Sequence, residues 1–260
     1  MKYSNEIWLV GIGNMGLEYA RVLSHLNVDF KSIGRSPASA KVFHELTRKI
    51  AIEGGLKEFI RTFHGTVPSH AIVCVSVDCL YAETIRLIKL GVKNVLVEKP
   101  AGLTFKQIED IALQASNAGC EVSVAYNRRF FSSVIDLRER IKDEGGLLSF
   151  QFDFTEWSDS IDASPNSEKV KENWVLANST HVIDLAFSLG GAPKEYTAHQ
   201  SGSLNWHKRA SIFCGSGVTE SGVLFSYHSN WTSPGRWALE FCTQHSRYLL
   251  KPMEKLERIA

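Results

Sequence analysis

"IWLVGIGNMGLEYARVLSHL", residues 7–26, decides the fold. Ile7–Gly13 is a short apolar run ending in glycines, the pattern of a buried strand. Leu17, Ala20, Leu23 and Leu26 then recur at helical spacing. Between the two lies Gly11-Ile12-Gly13-Asn14-Met15-Gly16, a G-x-G-x-x-G turn. In such a turn the first glycine permits the bend and the second lets a pyrophosphate approach the backbone. The third lets the helix pack on the strand. The helix start adds N–H groups and a dipole that favours phosphate. Set between strand and helix, the motif predicts a dinucleotide site; the bland alternative is a turn kept for packing alone.

Outward from this turn the elements alternate. "DFKSIGR" (29–35) reads as a second strand, and Ser36–Ala51 as a helix opened by Pro37. "HAIVCVSV" (70–77) is a strand and "LYAETIRLIKLG" (80–91) a helix closed by Gly91. "KNVLVEKP" (93–100) is a strand stopped at Pro100. A helix with Thr104 as N-cap and the strand "EVSVAYN" (121–127) follow. This alternation predicts a doubly wound parallel sheet over residues 1–125, a Rossmann dinucleotide-binding domain.

Past residue 126 the pattern changes. An amphipathic helix (132–146) leads to the alternating "LLSFQFDFTEW" (147–157). Residues 158–173 are polar and read as a loop, and residues 174–191 as a helix ended by glycines. "EYTAHQS", "ASIFCGS", "VLFSYHSNW", "RWALEFCTQ" and "RYLLKP" read as strands of a mostly antiparallel sheet. Residues 126–260 are therefore expected to form an α+β domain for substrate binding and oligomerisation. A wide apolar sheet face would pair with another subunit, giving a homo-oligomer.

Bulk properties narrow the class. The chain has 260 residues, 44% hydrophobic and 22% charged, ordinary values for a globular protein. A net charge of +1 gives no electrostatic case for nucleic acid or a membrane surface. Five scattered cysteines, with no Cys-x-x-Cys, read as reduced thiols. "MKYSNEIWLVGIG" lacks the apolar core of a signal peptide, so a cytoplasmic protein is expected. His199, His207, His228 and His245 show no metal-ligand spacing, and no metal is expected. Trp157, Trp174, Trp206, Trp231 and Trp237 are expected to fill the second core or an oligomer face rather than stack on sugars.

The end of the second strand sets the cofactor. NAD-binding folds place Asp or Glu about 20 residues past the glycine turn, on the ribose 2′-hydroxyl. Here the chain reads Gly34-Arg35-Ser36. Arg and Ser attract a 2′-phosphate by charge and hydroxyl donation, so NADP is expected over NAD. Lys41 is a possible assistant, and Asp29 falls at the wrong end of the strand.

Three motifs in order, GIGNMG, "VLVEKPAG" (95–102) and "THVIDLAFSLGG" (180–191), resemble the Gfo/Idh/MocA oxidoreductase family. "AYNRRF" (125–130) is similar to the segment by which that family leaves its nucleotide domain. The resemblance covers almost the whole chain, as a short member. It implies a dehydrogenase or reductase of sugars, inositols or related polyols, with a small-molecule sugar or sugar derivative as substrate. Lys99, at a strand's C-terminal end, would polarise a substrate hydroxyl or carbonyl, with Glu98 orienting it and close to the cofactor. His181 would pass the carbinol proton. At helical spacing Ala177, Asn178 and Asp184 share its side. Asn127, Asn178 and Asp184 are the candidate substrate contacts, while Arg128 and Arg129 line the cleft or serve structure.

The chain departs from the family in two places. The family's Asp four residues before the His is Ala177 here. The family's Thr-Pro pair over the cofactor is Ser76-Val77, whose serine hydroxyl can still bond there. Ala177 and the short chain also suit a rival, a cofactor-binding sensor or regulator without turnover.

Overall fold

The computed structural model describes residues 4–260. Met1–Tyr3, which begin the segment inspected for a leader, lie outside the described residues. The chain forms two compact units that part between Ala125 and Tyr126.

The first unit runs β1 (Ile7–Val10), α1 (Asn14–His25), β2 (Phe30–Ile33), α2 (Pro37–Thr47), β3 (Ala51–Ile52), α3 (Gly55–Thr62) and β4 (His70–Val73). It continues through α4 (Leu80–Leu90), β5 (Asn94–Val97), α5 (Phe105–Ala118) and β6 (Glu121–Val124). Its six strands are parallel in the order β3-β2-β1-β4-β5-β6. β1 pairs with both β2 and β4, so the winding reverses beside it, where open α/β sheets form their ligand crevice. The expected Pro37 start, Thr104 cap and Gly91 stop are all present.

The helix expected over Ser36–Ala51 ends early. Arg48 turns into the left-handed region at φ 60°, and Ala51 pairs with Ser32 to add β3. An open sheet edge outcompetes the local helical pattern there. The core behind the sheet centres on Trp8, fully buried and edge-on to Phe59 and Phe63 at 4.8 and 4.9 Å.

The second unit opens with α6 (Ser132–Asp143), β7 (Ser149–Asp153), α7 (Ser158–Asp162) and α8 (Glu168–Lys171). The two short helices replace the loop expected over 158–173; Ser167 caps the second through Val170 N–H. A π-helical turn, Val175–Ser179, leads into α9 (Thr180–Gly190). Then come β8 (Pro193–Ser201), β9 (Ile212–Thr219), β10 (Leu224–Asn230), β11 (Ala238–Cys242), β12 (Arg247–Leu250) and β13 (Leu256–Ile259). The sheet order is β13-β12-β11-β7-β10-β9-β8, antiparallel except for the β7–β10 pair.

Alternation along β7 puts Phe150 and Phe152 inward with Phe225 and Phe241, under Phe187 of α9. In β9, Gly217 and Gly215 stand opposite Phe225 and Tyr227. A Cβ on Gly217 would lie 2.7 Å from the Phe225 ring, and one on Gly215 2.5 Å from that of Tyr227. The missing side chains leave room for the aromatics. The outward face carries Gln151, Ser226, His228, Glu240 and Arg247. These positions are polar, while Leu224 and Tyr196 leave exposed apolar surface on the same sheet. Trp206, Trp231 and Trp237 are core, whereas Trp157 is 59% exposed.

Among the described residues no helix is long and apolar enough to cross a membrane. All five cysteines are free thiols.

Glu144, just past α6, ties that helix to the last strands. It accepts from Thr243, from Tyr248 Oη at 2.7 Å, from Ser246 Oγ at 3.0 Å and from Arg258 at 3.2 Å. These donors, Thr243 first and then Tyr248, lower its carboxyl to about 2. A carboxyl lowered on folding stabilises above its unfolded value, and that contribution is lost as pH falls toward the folded value. Glu144→Gln is expected to melt lower than the parent at pH 7. The gap should narrow between about pH 4.5 and pH 2, read by thermal melts across pH.

Candidate functional site

Two groups of side chains stand out, one in each unit. The first lies at the C-terminal ends of β1, β2 and β4, where Gly11–Gly13, Gly34–Ser36 and Cys74–Ser76 surround a cavity of about 260 Å³. Three glycines of the turn are required for different reasons. Gly11 has φ +116°, and a Cβ on it would sit 2.4 Å from Cys74 O. A Cβ on Gly16 would sit 2.3 Å from Gly11 O. Both are demanded by the contact of β1, α1 and β4. Gly13 differs: its φ of −79° suits any residue, and a Cβ there meets nothing within 4 Å. The protein itself gives no reason for glycine at this position. Open space beside the start of α1 does, because a group approaching the backbone would occupy it.

The start of α1 has no side-chain cap and no acidic residue in its first turn, so its N–H donors are open to an anion. Asn14 and Met15 are exposed on that turn but are not in the cavity wall. Arg35, Ser36 and Ser76 are in it. So is Ser39, which the sequence reading missed. Ser36 caps α2 by accepting from Ser39 N–H, and its hydroxyl donates to Ser39 Oγ at 3.0 Å. A cation and two hydroxyls thus cluster at the start of a second helix. Lys41 is exposed and outside the wall.

Glu98 and Lys99 follow β5, and the Lys99–Pro100 bond is cis. Tyr19 of α1 donates to Glu98 Oε1 at 2.8 Å, linking the helix of the glycine turn to the Glu-Lys-Pro turn. Burial first, then the Glu98 charge, raises the Tyr19 hydroxyl. The same two causes push the Cys74 thiol up to about 12, and it donates to Gly11 O. Cys74 is therefore an inert packing group.

The second group surrounds the π-helical turn. The α-helical spacing used to place Asn178 beside His181 does not hold across Val175–Ser179, which winds with i→i+5 bonds. Asn178 turns instead to Glu156, donating to its two oxygens at 3.1 and 3.2 Å. Ser179 donates to the same carboxylate at 2.7 Å and Arg236 at 2.9 Å. Glu156 is 2% exposed; burial raises its carboxyl, against the opposing pull of Ser179 and Arg236. The Arg236 guanidinium lies between Trp157 and Trp237, at 4.6 and 4.2 Å. The His181 ring lies 6.0 Å from Trp237 and 6.2 Å from Tyr126. Asp184 is taken up by a two-pronged pair with Arg129, and Arg128 pairs with Glu254. Both arginines are thus engaged in ion pairs. Asn127 is exposed on a 3₁₀ turn.

Glu156 and Arg236 escaped the sequence reading, though a signal existed. Glu156 shares the parity of Phe150, Phe152 and Phe154, so the alternation aims it inward. Among the described residues no group of three or more His, Cys, Asp or Glu side chains is placed to hold a metal ion.

Residues 6–126 match a family described as "Oxidoreductase family, NAD-binding Rossmann fold", the GFO_IDH_MocA family. A curated relative, scyllo-inositol 2-dehydrogenase (NADP(+)) IolW of Bacillus subtilis, is 28% identical over 123 residues. That match spans 46% of this chain but only 34% of the relative, about a third of its length. Among solved structures, the WlbA dehydrogenase from Chromobacterium violaceum, in complex with NADH and UDP-GlcNAcA, superposes with a TM-score of 0.76 at 15% identity. It covers 96% of this chain and 74% of its own. Levoglucosan dehydrogenase, in complex with NADH and levoglucosan, gives 0.77 at 15% identity, covering 97% and 75%. At these identities the likeness is one of fold.

The glycine analysis separates folding from binding. Gly13→Ala is expected to melt within about 1 kcal/mol of the parent while weakening any phosphate ligand of the turn. Gly16→Ala is expected to cost well over 1 kcal/mol. Thermal melts beside a dinucleotide titration read both effects.

Proposed function

The N-terminal domain belongs to the Gfo/Idh/MocA oxidoreductase family, and from that premise we propose that this chain is an NAD(P)-dependent oxidoreductase, NADP-preferring, that acts on a hydroxyl or carbonyl of a sugar or sugar derivative. One observation carries the reading. Gly13 leaves open space beside an uncapped helix start, in the wall of a cavity that also holds Arg35, Ser36 and Ser39. Dinucleotide phosphates fit that donor set, which supplies N–H groups, a helix dipole, a cation and hydroxyls. The absence of a carboxylate on Gly34-Arg35-Ser36 supports NADP over NAD. The NADP linkage in the name of the Bacillus subtilis relative agrees.

When bound, the nicotinamide cofactor supplies the hydride chemistry. The chain's residues supply the rest. Backbone N–H groups of the glycine turn bind the pyrophosphate, and Arg35 with Ser36 and Ser39 binds the 2′-phosphate. Lys99 donates to the substrate oxygen and stabilises the charge that develops there. Tyr19 holds Glu98, which fixes the turn carrying Lys99. His181 moves the carbinol proton. Asn178, its amide nitrogen committed to Glu156, offers its carbonyl oxygen to a substrate hydroxyl. Asn127 and Asp184, the latter together with its partner Arg129, complete the substrate contacts. The sugar class rests on the family and on neighbours that hold sugar ligands. A homo-oligomer joined through the C-terminal sheet and a cytoplasmic location complete the reading.

The buried Ala177, in place of a carboxylate, favours one second reading: a sensor that binds the cofactor without turnover.

Fluorescence titration with NADPH and NADH tests the cofactor. NADPH is expected to bind more tightly, and Arg35→Ala should remove about tenfold or more of that affinity while leaving NADH unchanged. Equal binding by the parent would overturn the NADP assignment. With a polyol found by screening, Lys99→Ala and His181→Ala are each expected to lower kcat at least about 100-fold with NADPH affinity retained. Tight NADPH binding with no turnover across the screen would favour the sensor.

A further inference from the structure

The cavity beside the glycine turn has one acidic side chain among the described residues of its wall, Glu83. It stands in the first turn of α4, one helical turn beyond Cys79, which also lines the cavity. Its Oε1 accepts from Arg86 at 2.6 Å. Its Oε2 is buried and has no hydrogen-bond partner among the described residues. A buried acceptor without a donor is an unfavourable arrangement, and such groups call for explanation. The wall around it is apolar, with Ile33, Leu56 and Val75, so it suits the faces of a flat heterocycle. Arg35 and Ser36, assigned to the 2′-phosphate, line the same cavity.

We propose that Glu83 selects the base of the cofactor, its Oε2 accepting an N–H from the exocyclic amine of adenine. The inference rests on the dinucleotide reading above and adds to it the residue that reads the base. A glutamate held by an arginine offers acceptors and no donor. It therefore favours a purine with an amino group at the 6-position over one that has no donor there. The terminal Cγ–Cδ torsion of a carboxylate is broad, so Glu83, which lines the cavity, can present an oxygen to it. The phosphate contacts alone are blind to this difference, because they touch neither edge of the base.

The test uses two ligands that differ only there: NADPH and its unsubstituted-purine analogue, in which hydrogen replaces the 6-amino group. Fluorescence titration of the whole chain is expected to show NADPH binding about tenfold or more tighter than the analogue. In Glu83→Leu, which offers no acceptor, the two ligands should fall within about threefold of each other. Equal binding of both by the parent overturns the role of Glu83. So does a parent preference that survives unchanged in Glu83→Leu. If neither ligand binds the parent, the dinucleotide reading itself is overturned, and the role of Glu83 with it.

Discussion

The N-terminal domain depends on one close approach of three backbones. Gly11, at the end of β1, lies against Cys74, at the end of β4, and Gly16 of α1 lies against Gly11. Neither contact tolerates a Cβ. Their closeness brings the first turn of α1 up to the sheet's C-terminal edge, between the two strands that flank β1. The crevice there follows from the winding of the sheet, and the N–H groups in it from the helix start. Charge recognition is then set by what the neighbouring strand ends carry, Arg35 and Ser36 on one side and Ser76 on the other.

This architecture was legible because its determinants are local. A strand, a glycine turn and a helix are encoded within residues 7–26, and the family motifs follow in order. The parts that were not legible depend on partners distant in sequence. β3 is two residues long and exists because Ser32 and Ile33 offer it an edge. The π-helical turn has no signature in "VLANS", yet it redirects Asn178 from His181 to Glu156. Arg129 and Asp184 lie 55 positions apart, and their pairing changes Asp184 from an available carboxylate to an occupied one.

Glu156 shows how a departure from a family pattern can coexist with a buried charge nearby. Ala177 carries no carboxylate, but Glu156 brings one to the same turn from the end of β7, with Asn178, Ser179 and Arg236 as its donors. A buried carboxylate is tolerated when its oxygens are so satisfied. This network orders the segment that precedes His181, and the π-helical winding and the network are mutually dependent: each donor reaches the carboxylate because of how the turn winds.

The two glycines of β9 carry a consequence for β8. β8 is nine residues long, exposed throughout, and pairs with β9 alone. Opposite it, Gly215 and Gly217 contribute no side-chain cover. Attachment of β8 thus falls mainly on backbone hydrogen bonds. Local opening should begin at this edge, so amide protons of β8 will exchange with solvent well before those of β7 and β11 at the sheet centre.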